Sequence, residues 1–182
     1  MSKVVRGAMI VALTLIAVSC KTNLGASRSQ SLRREADILL EQEARITSKW
    51  TTEYAAAFNL QSRARFPANR QDLSRKAESM IASLDQSSSI QSTAAEKYLA
   101  ASALEPNEKM RQFLSLFSQS FKTNVEINDL LKQQIGLVNN EEIKDTKTFE
   151  KQFQSIGAEI AGKVKDRDEL QLKGKEMIGI KQ

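Results

Sequence analysis

Apolar residues recur at steps of three and four along almost the whole chain, and this spacing constrains the fold more than any other feature of the sequence. Residues that repeat in this way share one face of a helix, which predicts that the face is buried. Only two prolines and seven glycines interrupt the 182 residues. The sequence therefore predicts an all-α protein. The strongest stripe consists of Met110, Phe113, Leu114, Phe117, Phe121, Val125, Ile127, Leu131, Ile135 and Val138.

Three short breaks divide the pattern into four helices, each roughly 50–57 Å long at about 1.5 Å per residue. The breaks are Phe66-Pro67-Ala68-Asn69, Glu105-Pro106-Asn107 and Asn139-Asn140. Proline disfavours the helical conformation of the residue before it and lacks a backbone donor. The predicted helices cover residues 31–65, 69–104, 106–138 and 140 to near the terminus, where the last turns from about Gly174 are expected to fray. Because short connections make neighbouring helices antiparallel, we predict an all-α, antiparallel up-down-up-down four-helix bundle.

Two alternatives to this bundle remain open. The segment 85–92 is polar on every face, so the second helix is either continuous or broken near Ser87–Ser89. Each serine costs roughly 0.5 kcal/mol relative to alanine in a helix, which packing can outweigh. We favour continuity because the apolar stripe resumes almost in phase. The other alternative is an extended helical hairpin that completes its core by oligomerising.

The first twenty residues have the composition of an export signal. Lys3 and Arg6 form a positive head, and the run from Ala8 to Val18 is apolar except for Thr14. A charged head, a short apolar run and a small residue at the cleavage point describe a secretory signal peptide. The run is shorter than the ~20 residues that a membrane-spanning helix needs.

The end of this segment, Leu15-Ile16-Ala17-Val18-Ser19-Cys20, resembles the lipobox of bacterial lipoproteins. Ala17 stands where that family usually has leucine. The resemblance implies cleavage before Cys20, a thioether-linked lipid on its sulfur and an acylated N-terminus. Lys21 stands where members retained at the inner membrane tend to have aspartate, which implies the outer membrane, facing the periplasm of a Gram-negative bacterium. An ordinary signal peptide with a chance cysteine is the alternative.

These features divide the chain into a cleaved lipoprotein signal peptide (1–19), a flexible lipidated tether (20–30) and a helical bundle domain (31–182). Cleavage removes Lys3 and Arg6 from a precursor of net charge +5, so the exported form carries +3. This modest excess, together with export, disfavours nucleic acid as a partner. Cys20 is the only cysteine, so the domain depends on its apolar core rather than on disulfides.

The composition also argues against an enzyme. The chain has no histidine, which removes the commonest general base and every Ser-His-Asp or Cys-His arrangement. Carboxylate pairs at helical spacing, such as Glu105 with Glu108, are expected on any charged helix. We therefore predict no catalytic residues, no metal site and no cofactor other than the lipid on Cys20.

Basic residues crowd the predicted turn between the first two helices, far from the lipid. They predict a positive tip, which we call the distal tip, that meets an anionic envelope component or a periplasmic protein. An ordinary solvated helix end is the alternative. The residues are Arg63, Arg65, Arg70, Arg75 and Lys76.

A polar waist is the second candidate site. Folding the chain back at each break places Ser88 beside Asn124, and Asn124 beside Ile156, with Trp50 next to this level. Aromatic residues gather above and below it. Ser88, Asn124 and Trp50 could line a ligand pocket in the bundle, since bundle cores host such sites. The sequence thus favours a lipid-anchored, non-enzymatic interaction or structural module, with a small-ligand sensor or carrier as the alternative function. It does not indicate an oligomeric state.

Overall fold

The computed structural model describes the backbone of residues 3–179 and the side chains of residues 24–179. The predicted signal segment and Cys20 lie outside the residues whose side chains are described. Five α-helices and a 3₁₀ turn, Leu137–Asn139, make up the fold, and the described part of the chain contains no strand. This confirms the all-α prediction. The helices are α1 (Lys3–Ala57), α2 (Leu60–Arg63), α3 (Arg70–Leu104), α4 (Glu108–Gly136) and α5 (Thr146–Met177).

The long helices run up and down in the order of the chain. α1 packs on α3, α3 on α4 and α4 on α5. Ser29 of α1 contacts Glu105 at the end of α3, whereas Glu43, farther along α1, contacts Ser87, which comes earlier in α3. Neighbouring helices are therefore antiparallel, and the predicted bundle is confirmed. An ion pair also joins the helices of each neighbouring pair. These ion pairs are Glu35–Lys97 between α1 and α3 at 2.7 Å, Asp85–Lys132 between α3 and α4 at 2.8 Å, and Glu126–Lys163 between α4 and α5 at 2.5 Å.

α3 passes through the serine-rich segment without a break, so the alternative of a broken second helix is wrong. Its buried face continues on either side of the segment, where Leu84 and Ala94 are both 0% exposed. Ser87 continues that face and is buried, while Ser89 points to solvent. Packing on α1 and α4 outweighs the weak helix preference of the serines.

The buried apolar side chains form two cores, one above the other, with the aromatic residues sorted as predicted. We call the core farther from Cys20 along α1 the distal core and the nearer one the proximal core. The distal core is built around Trp50, Phe58, Phe66, Leu73, Met80, Leu84, Ile135, Ile143, Phe149 and Phe153. The proximal core contains Leu32, Ala36, Ala94, Ala95, Tyr98, Ala101, Leu114 and Phe121, with Phe113 and Phe117 packed against it.

The first helix starts earlier than the predicted Ser31. α1 runs through the whole stretch 20–30 predicted as a flexible tether, so the backbone of this stretch is helical. Two small residues let this turn of helix approach the α3–α4 connection. A Cβ on Gly25 would lie 3.2 Å from the carbonyl oxygen of Leu104, and Ser29 is fully buried. The predicted start of the first helix at about Ser31 is therefore wrong.

The distal connections also differ from the predicted ones. The first long helix ends at Ala57, and Asn59 caps the short α2 by accepting a hydrogen bond from the Ser62 N–H at 2.9 Å. The last helix also starts later than the predicted residue 140. Asn140 accepts a hydrogen bond from the Glu142 N–H in a turn, and α5 begins only at Thr146.

Asp145 caps α5 and provides a test of this helix start. Its carboxylate accepts hydrogen bonds from the backbone N–H and the hydroxyl of Thr148, at 2.9 and 2.8 Å, and these bonds lower its pKa below the ordinary value of 3.8. Because the pKa is lower in the folded state, the stabilisation is present above that value and is lost as the pH falls through the folded pKa. Asparagine also caps helices but does not titrate.

We therefore expect Asp145→Asn to show a smaller loss of melting temperature than the natural chain between about pH 5 and pH 2. Asp166→Asn, at an exposed position in the middle of α5, serves as the control. Circular dichroism melts across this range measure the effect. An acid dependence of Asp145→Asn equal to that of the natural chain would contradict the assignment of the cap.

Candidate functional site

A layer of polar side chains separates the two apolar cores, close to where the sequence predicts a waist. We call it the polar layer, and Glu43 of α1 is at its centre. One carboxylate oxygen of Glu43, Oε1, accepts hydrogen bonds from Thr47 Oγ1 at 2.5 Å, Ser87 Oγ at 2.6 Å and Gln91 Nε2 at 2.9 Å. Bonds to an ionised acceptor are stronger than neutral ones, so this oxygen ties α1 firmly to α3.

The polar layer continues from α3 to α4 through Asn128, which is 5% exposed. Its Nδ2 donates to Ser87 Oγ and to Ser88 Oγ, both at 3.2 Å. Ser87 thus donates to Glu43 and accepts from Asn128, which connects three helices through one hydroxyl. Sharing of polar partners across helices fixes their relative height, because a shift by one turn would leave buried groups unpaired.

The predicted waist residues are only partly brought together. Trp50 donates from Nε1 to Thr47 Oγ1 at 3.3 Å, and Ser88 accepts from Asn128, so both lie at the polar layer. Asn124 instead accepts a hydrogen bond from Arg167 of α5 at 3.3 Å. Asn128, one helical turn farther along α4, occupies the place predicted for Asn124.

Sequence reasoning missed three members of the polar layer: Glu43, Gln91 and Asn128. A signal for Glu43 exists in the sequence, because a charged residue there interrupts the apolar stripe of the first helix. Such a residue on a buried face needs partners on the facing helix, and here Ser87 and Gln91 of α3 supply them. Gln91 and Asn128 resemble ordinary polar surface positions in the sequence.

Among the cavities of the described residues, five of about 400–570 Å³ open on the surface, and none of these five is lined by Ser88, Asn124 or Trp50. Two of them lie at the distal tip, where Arg75 contributes to both. The cavity of about 570 Å³ lies at the opposite end, between α1, the α3–α4 connection and the end of α5. The polar layer is thus mostly occupied by its own hydrogen bonds.

Two of the basic residues of the distal tip hold the tip together. Arg63 forms an ion pair with Glu150 of α5 at 2.7 Å, and its guanidinium lies 4.6 Å from the ring centre of Phe153. Arg70 donates to the backbone carbonyls of Asn140 and Ile143, and it lies over the ring of Phe66. These contacts connect the α1–α3 connection to the α4–α5 connection.

The other three basic residues of the distal tip project from it. Lys76 pairs with Asp72 one turn earlier at 2.7 Å, and both side chains are more than half exposed, so this pair contributes little to stability. Arg65 and Arg75 are exposed. The structure therefore reduces the predicted basic surface to Arg65, Arg75 and the partly neutralised Lys76.

The rest of the described chain presents few groups for chemistry. Between residues 24 and 179, no three acidic, cysteine or histidine side chains gather in a way that could hold a metal ion. None of the helices in the described part is both long and apolar enough to span a membrane.

Comparison of the chain with protein-family models, curated proteins and solved structures finds no match. A function can therefore be proposed only from the residues themselves.

A pair of serine substitutions in α3 tests the polar layer. Ser87→Ala removes the donor to Glu43 and the acceptor for Asn128, which should lower the free energy of unfolding by about 1–3 kcal/mol. Ser89→Ala, two residues away on the exposed face, changes helix preference equally and should remain within about 0.5 kcal/mol of the natural chain. Urea denaturation measures both values. Equal stabilities of the two variants would show that the layer contributes nothing.

Proposed function

We propose that this chain is a lipid-anchored protein of the bacterial cell envelope, a non-enzymatic helical module that interacts with or supports other envelope components. Support comes first from the sequence. Lys3 and Arg6 precede an apolar run, and the small Ser19 precedes the only cysteine of the chain. This order resembles a lipoprotein signal, and Lys21 favours an outer-membrane position facing the periplasm.

The observation that carries the proposal is the contact between the start of the described fold and the α3–α4 connection. Ser29 is fully buried and donates to Glu105 Oε2 at 3.0 Å, only nine residues after Cys20. With a lipid on Cys20, this contact would make the anchor point part of the folded unit and would hold the bundle at a set height above the membrane.

The polar layer favours a structural role over the alternative of a ligand sensor or carrier. Glu43 accepts three internal hydrogen bonds, and Asn128 donates to two serines. A ligand entering at this level would have to replace these bonds with its own. The absence of histidine and the single cysteine of the chain support a non-enzymatic role.

The distal tip is the proposed contact surface for an anionic partner. The 33 residue steps of α1 from Leu24 to Ala57 place this end roughly 50 Å from the anchored end. Arg65 and Arg75 are exposed there, beside two surface cavities of about 400 and 520 Å³ at Arg75. Exposed cations at this distance from the bilayer are available to a negatively charged polymer or protein.

The anchor is tested by Cys20→Ala in the complete chain. Because the lipid would be attached only to this sulfur, the variant should lose incorporation of labelled fatty acid and should leave the membrane fraction. Ser19→Ala, which keeps a small residue before the cysteine, should retain both. Fractionation with membranes that is unchanged in Cys20→Ala would refute the lipid anchor.

The contact surface is tested by photo-crosslinking in intact cells. A photoreactive residue in place of Arg75 should give a discrete crosslinked product with an envelope component. The same residue in place of Glu96, which is exposed on the side of α3, is the control. A product from position 96 but not from position 75 would place the contact surface on the side of the bundle.

A further inference from the structure

Exposed apolar side chains are not spread evenly over the described part of the chain. Seven large apolar residues there are at least 38% exposed; Leu24, Leu104 and Met177 lie at one end of the bundle, and Leu99 and Leu172 lie farther back on α3 and α5. That end is formed by the first described turn of α1, the end of α3 and the end of α5, and we call it the proximal rim. The exposed fractions of these five residues are 71% for Leu24, 47% for Leu99, 41% for Leu104, 39% for Leu172 and 38% for Met177.

The three segments of the proximal rim lie close together in space. Gly25 lies against the carbonyl oxygen of Leu104, as shown by the 3.2 Å distance from an added Cβ. Arg33 of α1, Glu105 and Met177 line one cavity of about 570 Å³. Leu99 and Leu172 each lie five residues, or about 8 Å, before Leu104 and Met177 on their helices. Leu24, Leu104 and Met177 therefore surround one end of the molecule, whereas Leu99 lies at about the height of Ile38, because Tyr98 bonds to Asp37.

The same end carries most of the excess positive charge. Residues 24–34, 99–111 and 172–179 together contain seven arginines and lysines against three glutamates. One of those glutamates, Glu105, is buried and bonded to Ser29. Leucine and methionine side chains interspersed with arginine and lysine are the composition of surfaces that lie in the headgroup region of a membrane.

We infer that the proximal rim docks on the bilayer itself, with Leu24, Leu104 and Met177 entering the headgroup region and the basic residues facing anionic lipid headgroups. The inference rests on the proposed lipid anchor, which limits how far the rim can lie from the bilayer. Even fully extended, the four residue steps from Cys20 to Leu24 span at most about 14 Å. A protein-borne contact with the bilayer would act beside the lipid and would restrict how the bundle can tilt about its anchor.

Docking would also set the orientation of the bundle. Because Ser29 and Glu105 join α1 to the α3–α4 connection, contact of the rim with lipid would stand the helices away from the membrane and hold the distal tip roughly 50 Å above it. Ile38, 56% exposed on the side of α1, and Leu60, 75% exposed at the distal tip, would then remain in water. These two residues are matched controls for the rim.

The test uses the complete lipidated chain in vesicles that contain anionic lipid. Since a lipidated Cys20 cannot react with thiol reagents, a single new cysteine can carry an environment-sensitive fluorophore. Leu104→Cys and Met177→Cys report on the rim, and Ile38→Cys and Leu60→Cys are the controls. Lipids with a nitroxide in the upper acyl chain, about 5–10 Å below the surface, are the quencher.

We expect the label at positions 104 and 177 to lose roughly half or more of its emission to this quencher, and the label at 38 and 60 to lose almost none. Quenching at 38 together with 104 would overturn the upright orientation. No quenching at 104 and 177 would overturn rim docking. Thiol labelling of the natural chain distinguishes a failure of rim docking from a failure of the lipid anchor. If a thiol reagent labels Cys20, this residue carries no lipid, and both the anchor and the docking that depends on it are refuted.

Discussion

The attachment of the proximal part of α1 to the rest of the fold depends on the hydrogen bond between Ser29 and Glu105. It is buried, it joins α1 to the α3–α4 connection, and Gly25 leaves room for that close approach. A carboxylate removed from water needs such a partner, and Glu105 also accepts from the Asn107 N–H at 3.3 Å, where α4 begins. The residues that follow Cys20 are therefore part of the folded domain rather than a flexible tether.

The polar layer has a different role, since it fixes the height of the helices relative to one another. Apolar stripes alone tolerate a slip of one turn, because leucine, phenylalanine and alanine pack against many partners. Glu43, Ser87 and Asn128 do not tolerate it, since each would lose its partners. The layer therefore specifies one register between the proximal and distal cores. That register places the rim and the distal tip at opposite ends of the bundle.

The helices and their apolar faces follow from the sequence because a period of 3.6 residues is a property of the helix itself. Register between helices does not follow, since it depends on how many residues each connection uses. The α4–α5 connection uses the 3₁₀ turn and an extended segment to Asp145, so α5 starts six residues later than predicted. Asn124 consequently faces Arg167 instead of Ile156.

Two of the five basic residues predicted for the distal tip hold the tip together instead, because their partners lie on elements whose register does not follow from the sequence. The sequence shows that Arg63 and Arg70 are charged and near a turn, but not that Glu150, the Phe153 ring and two backbone carbonyls lie within their reach. The early start of α1 was also beyond prediction. Ser29 and Gly25 are weak helix formers, but their small size allows α1 to approach the α3–α4 connection closely.

A lipid on Cys20 is the anchor proposed for this bundle, and mass spectrometry of the N-terminal peptide of the protein isolated from membranes detects it directly. The peptide is expected to begin at Cys20 and to carry the mass of a diacylglyceryl group on sulfur and an acyl chain on nitrogen. A peptide that continues through Ser19 into Cys20, with a free thiol, would contradict the proposed anchor.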